Sequence, residues 1–100
     1  MTYLPNKEIK RSKNILRALY HPLRQHILAT IWNIGNSINV TELYVALRIE
    51  QTVASMHLAI LHDAKLVTKK RDGKNIYYSV DYPEIERLDS LIKQINNSKN

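Results

Sequence analysis

Gln51, Thr52, Ser55, Met56 and His57 place hydrogen-bonding and methyl-bearing groups in one short segment. A basic cluster follows at Lys69, Lys70, Arg71 and Lys74, with Asp72 the one acid among them. These are side-chain types that read and hold double-stranded DNA. A Gln carboxamide can bond adenine at two points, Ser and Thr hydroxyls suit several base edges, and a Met or Thr methyl can touch the thymine methyl. Clustered Lys and Arg bind phosphates or enter the minor groove. No catalytic set stands beside them: Ser55 and His57 are two positions apart on one helix and point different ways, no third residue orients the base, and there is no Gly-rich phosphate loop. With zero cysteines the chain has no disulfide, thiolate metal site or thiol redox chemistry. His21 and His26, like His57 and His62, are five positions apart, which puts them about 140° apart around a helix and not on one face. Neither a metal site, nor a cofactor, nor an enzyme activity is expected.

The elements that would position these groups follow from the periodicity. Thr41 is a good N-cap for a short helix from Glu42 to Leu47, with Leu43, Ala46 and Leu47 apolar. Arg48-Ile49-Glu50-Gln51 breaks the period, and a second helix starts near Gln51 or Thr52. Ala54, Leu58 and Leu61 form its stripe, with Val53 and Ile60 alongside. Two helices joined by a turn of three or four residues make a helix-turn-helix, whose second helix enters the major groove. After Asp63-Ala64-Lys65 the period becomes twofold: Leu66–Lys70 and Asn75–Val80 flank Arg71-Asp72-Gly73-Lys74, a strong hairpin signal. Tyr77 and Tyr78 fall on opposite faces of this ribbon, one of them in the core. Ser37 to Val40 could add a third short strand. The expected fold is mainly α with a small β-hairpin wing, a winged helix-turn-helix.

The flanks look built to hold and pair that unit. Met1 to Pro5 reads as an extended arm whose Tyr3 and Leu4 could meet a neighbour. A helix from Asn6 to Leu19 would bury Ile9, Ile15, Leu16 and Leu19 and show Lys10, Arg11, Lys13 and Arg17 on its other side. Pro22 suits the first turn of the next helix. Leu23, Ile27, Leu28, Ile31 and Trp32 make its core stripe, and Gly35-Asn36 stops it. Arg24 has two destinations open, a phosphate or an acidic neighbour. Pro83 opens a last helix with Ile85, Leu88, Leu91, Ile92 and Ile95 in a stripe. Little local core remains for that stripe to cover, so a second copy of the chain is expected there. Ile9, Leu16, Ile85, Leu88, Leu91, Ile92 and Ile95 form the expected homodimer interface, and Asn96 to Asn100 is expected to fray.

One hundred residues make one domain with a modest core. Fifteen Lys and Arg against nine Asp and Glu give a net charge of +6, which favours a polyanionic partner. Five of these bases lie between Lys7 and Arg17 and five between Lys65 and Lys74, while Glu84, Glu86 and Asp89 make the C-terminal segment acidic. No apolar run approaches the roughly 20 residues that span a bilayer, and the N-terminus lacks a signal-peptide core, so no membrane partner and a cytoplasmic location are expected.

Three stretches together resemble the ArsR/SmtB-like winged-helix transcriptional regulators. His21-Pro22-Leu23-Arg24-Gln25-His26-Ile27-Leu28 is similar to that family's opening motif, and Thr52-Val53-Ala54-Ser55-Met56-His57-Leu58 to its recognition helix. Leu66-Val67 through Asp72-Gly73-Lys74-Asn75-Ile76-Tyr77-Tyr78 is similar to its wing. The resemblance implies a homodimeric, sequence-specific DNA-binding regulator, most simply a repressor, with two recognition helices in successive major grooves. It also implies an effector that changes the angle between those helices, although no sensor residue or effector is named by the sequence. The family's thiolate site corresponds to Asn39 and Thr41 here, and its C-terminal site falls near Tyr82 and Glu84 without paired ligands, so no metal is expected. No Lys or Arg occurs between Gln51 and Ala64, and affinity should therefore lean on the wing and the N-terminal half. The alternative is a winged-helix protein-interaction module with an incidental basic face; a small metal-dependent or hydrolytic enzyme is the more distant one.

Overall fold

The computed structural model describes residues 6–98, and the side chains of residues 10–91, 93 and 94. The expected N-terminal arm lies outside the described residues. Five helices and three strands run in the order α1 (Asn6–Leu19), α2 (Pro22–Ile34), β1 (Ile38–Asn39), α3 (Val40–Leu47), α4 (Gln51–Asp63), β2 (Val67–Asp72), β3 (Asn75–Val80) and α5 (Tyr82–Ser98). The helix expected to fray from Asn96 continues to Ser98.

Local chemistry explains most boundaries. His21 caps α2, its Nδ1 accepting from the Leu23 N–H at 3.1 Å, and Pro22 begins the helix where no donor is needed. Gly35, at φ 77°, ends it in the left-handed conformation with its N–H shared by the Ile31 and Trp32 carbonyls. The start of α3 differs from expectation. Asn39, not Thr41, is the cap, its Oδ1 accepting from the Glu42 N–H at 2.7 Å. Asn39-x-x-Glu42 has the spacing of a capping box, which placed the helix two residues earlier than Thr41 suggested. Both helices of the helix-turn-helix end without glycine. Arg48 (φ 55°) and Lys65 (φ 62°) take the left-handed position, and the next residues, Ile49 and Leu66, bond back to the Tyr44 and Leu61 carbonyls.

The strands form a three-stranded antiparallel sheet in the order β1-β3-β2, the third strand being the one expected near Ser37–Val40. Val67 faces Val80, Lys69 faces Tyr78 and Arg71 faces Ile76 across the hairpin. Gly73, at φ 64°, is the first residue of the two-residue turn, as a type II′ hairpin requires. Ile15 and Ala18 of α1, Ile27 and Ile31 of α2, Leu43 of α3, Leu58 and Leu61 of α4, and Val67, Tyr78 and Val80 of the sheet make one core. Tyr78 is the buried tyrosine. Trp32 leaves the expected core stripe: it is half exposed and meets the Tyr82 ring at 5.2 Å, covering the start of α5.

Helix α5 is tied to α1 by an ion pair between Arg11 and Glu84, and Glu84 also accepts from Arg87 at 2.8 Å. Glu84 is therefore an internal anchor, not part of an acidic surface. The Arg87 hydrogen bonds, joined by Arg11, hold its carboxyl below the ordinary value of 4.5 despite burial, which acts in the opposite sense. A carboxyl with a depressed folded pKa contributes stability that is present above its unfolded value and lost as pH falls through the folded one. Urea denaturation at a series of acid pH values should show that loss. Glu84→Gln should flatten that dependence and lower stability by about 1–3 kcal/mol at neutral pH.

Candidate nucleic-acid interface

Along α4 the helical period separates two faces. Ala54, His57, Leu58 and Leu61 are buried, while Gln51, Thr52, Ser55, Met56 and Ala59 are exposed, Met56 by 53%. The outward face thus offers a carboxamide, two hydroxyls and a thioether with no formal charge. Its N-terminal end opens into a cleft of about 170 Å³, where Gln51 and Ser55 face Asn39, Val40 and Thr41 from the start of α3 and Lys74, Asn75 and Ile76 from the wing. Thr41 and Asn75 also line this concavity, although neither is among the expected contact residues. Recognising Asn39 as the cap would have freed Thr41 for the site.

Lys69, Lys70, Arg71 and Lys74 are all exposed, and the strand register divides them. Residues directly opposite on antiparallel strands share a sheet face. Lys69 and Arg71 lie on the face of Tyr78 and Ile76, towards the core, whereas Lys70 lies with Tyr77 on the outer face. On that outer face Lys70 lines a shallow polar hollow with Ser37, Thr68, Asp72, Tyr77 and Ser79. At the tip, the Arg71 Nε donates to the Gly73 carbonyl at 3.3 Å.

His57 has to be removed from the DNA-contacting set. It is 4% exposed and lies on the inner stripe, three residues after Ala54 and four before Leu61. Arg24 likewise reaches neither a phosphate nor an acid. Its Nε and one terminal nitrogen donate to the Ala18 and Arg17 carbonyls at 3.0 and 2.8 Å, and the other terminal nitrogen meets His57 Nδ1 at 3.1 Å. It caps the last turn of α1 and links that helix to α4. The His21 ring lies 4.7 Å from that of His57. Burial first, then His21 and Arg24, lower the His57 pKa below the ordinary 6.5.

The positions expected to pair subunits divide as well. Leu16 is 68% exposed, and Leu19 and Leu91 are partly exposed. With Ile15, Ile85 and Leu88 they line an apolar groove of about 530 Å³ between α1 and α5. Ile15 belongs to the subunit's own core, while Ile85 and Leu88 are partly buried against it. The side chains of Ile9, Ile92 and Ile95 are outside the described set. Among the described residues no group of three or more His, Asp or Glu is placed to hold a metal ion, and no helix is long and apolar enough to cross a membrane.

No family model matches the chain, but individual proteins do. It is 30% identical to the transcriptional repressor PagR of Bacillus anthracis over 81 residues, 81% of this chain and 80% of that protein. Over a stretch of equal length it is 26% identical to the transcriptional activator HlyU of Vibrio cholerae, covering 73% of it. The crystal structure of PagR superposes with a TM-score of 0.68 at 26% identity, covering 88% of this chain and 99% of that one. The homodimeric winged helix-turn-helix DNA-binding domain Mb0332 of Mycobacterium bovis, described as a possible ArsR-family regulator, shares the fold. Its TM-score is 0.73 at 22% identity, with 97% of this chain and 91% of that one covered. With a sequence relative at this level and a winged fold common to all of them, the chain belongs to the ArsR/SmtB-like family of winged-helix transcriptional regulators.

Proposed function

We propose that the protein is a cytoplasmic, homodimeric, sequence-specific DNA-binding regulator, acting as a repressor in the manner of its relative PagR. The observation that carries this reading is the shared cleft: Gln51 and Ser55 of the uncharged outer face of α4 and Lys74 of the wing open onto the same concavity. On this reading Gln51, Thr52, Ser55 and Met56 meet base edges in the major groove, and Thr41 and Asn75 line its approach. Lys69, Lys70, Arg71 and Lys74 neutralise phosphates beside it. Leu16, Leu88 and Leu91 cover their counterparts on a second copy. The radius of gyration of 15.1 Å, against about 13 Å for a compact chain of this length, agrees with a subunit that completes its packing on a partner. Two such subunits would set the α4 helices one turn of DNA apart, about 34 Å, and an effector would act by favouring one of two dimer geometries.

Titrating duplex DNA at several salt concentrations tests the proposal. The wild type should lose affinity steeply as salt rises, and Lys69→Ala/Arg71→Ala/Lys74→Ala should reduce the log–log slope by about one for each phosphate no longer neutralised. Binding that is absent or indifferent to salt would favour the protein-interaction module instead.

A further inference from the structure

Neither Arg24 nor His57 is available to DNA, yet together they join α1, α2 and α4 at one point inside the molecule. A guanidinium carries five N–H donors, no acceptor and a permanent charge. Its contact with His57 Nδ1 at 3.1 Å therefore requires a lone pair on that nitrogen, which assigns His57 as neutral with its proton on Nε2. The titratable groups facing the ring are Arg24 of α2 and His21, the cap before it, and neither is a carboxylate. From α1 comes the Arg17 carbonyl, with the Arg17 guanidinium itself exposed, and on α4 both His62 and Asp63 are exposed. Protonating His57 would turn acceptor into donor and set two cations against each other with no anion between them. His57 directly follows Ser55 and Met56 on the same turn of α4, so an inward anchor that lets go also releases the outward face.

We propose that Arg24 and His57 are positioning residues for α4, and that their hydrogen bond makes DNA affinity depend on His57 staying uncharged, so that binding weakens on mild acidification. The proposal rests on α4 being the helix that enters the groove. It runs against the ordinary trend, in which acid makes a protein more positive and strengthens its binding to a polyanion.

The test is an anisotropy titration of the full chain with a fluorescein-labelled genomic duplex that the wild type retains at about pH 7.5. Wild-type Kd should rise measurably on going to about pH 5.5, by less than the roughly tenfold that an unshifted imidazole would allow, with the helical circular dichroism signal unchanged. His57→Asn, which keeps an acceptor near the Nδ1 position and cannot titrate there, should bind within about threefold of wild type at the higher pH and show no acid loss. The ring nitrogen shifts of wild type should show an unprotonated Nδ1 at neutral pH, a readout that needs no variant to fold. Unchanged or stronger wild-type binding in acid, a parallel loss in His57→Asn, or a protonated Nδ1 at neutral pH would overturn the proposal. A duplex retained with a flat pH profile counts against this inference alone, whereas failure to retain any duplex at any pH counts against DNA binding itself and the inference with it.

Discussion

Leu16→Glu is expected to give a folded monomer whose affinity for duplex DNA is lower by about two orders of magnitude or more. The reasoning begins with exposure. Leu16 is 68% exposed in the subunit, so a charge there costs the isolated fold almost nothing, while its neighbour Ile15 is buried in the core. In the groove between α1 and α5, however, the introduced carboxylate would be placed against the apolar surface of a second subunit and its own symmetry mate. Losing the dimer converts two linked half-site contacts into one, and the affinity that linkage supplied disappears without any change to α4 or the wing. Light scattering with circular dichroism reads the first part, and an anisotropy titration the second. A variant that stays dimeric, or a monomer that binds as tightly as wild type, would show that α1 and α5 do not join the subunits.

Arg24→Met should have the largest effect on the fold itself. The side chain is 8% exposed and satisfies two carbonyls at the end of α1 together with the His57 ring nitrogen. Replacing it with an apolar chain of similar length keeps much of the packing but leaves two buried acceptors and one part-buried acceptor without their donor. A loss of about 3 kcal/mol follows, or roughly 15 °C in melting temperature for a chain of this size, measured at fixed protomer concentration because dimerisation contributes to apparent stability. Arg24→Lys should recover little of it, since an ammonium cannot span the three acceptors that the planar guanidinium reaches. A variant within about 0.5 kcal/mol of wild type would mean that the contacts are incidental.

Much of this architecture was legible because it rests on local rules. The twofold alternation around Asp72-Gly73 fixed the wing, Pro22 and Gly35 bounded α2, and the spacing of Ala54, Leu58 and Leu61 located α4. His57 lay on that same stripe, three residues from Ala54, and its chemistry drew attention away from its position. The division of Lys69 and Arg71 from Lys70 was likewise present in the period of the strand. What no local rule could supply was the tertiary partner. Arg24 bonds residues six and seven positions back and one on another helix, and Glu84 takes Arg11 from the far end of the chain. Charges in a sequence look like surface charges until the fold brings their partners to them. Trp32 shows the reverse case, an apolar residue in a core-like pattern that ends half exposed against Tyr82 because α5 covers one side of it.

The presentation of two α4 helices to one duplex can be measured directly, because the chain has no native cysteine to compete for a label. Met56→Cys places a spin label on the exposed face of α4, where the wild-type side chain is 53% accessible. Electron–electron double resonance on that labelled protein should give one narrow distance distribution centred at about 34 Å, the separation of successive major grooves. An absence of dipolar coupling, or a separation half as large again, would contradict it, since no single duplex could then receive both helices.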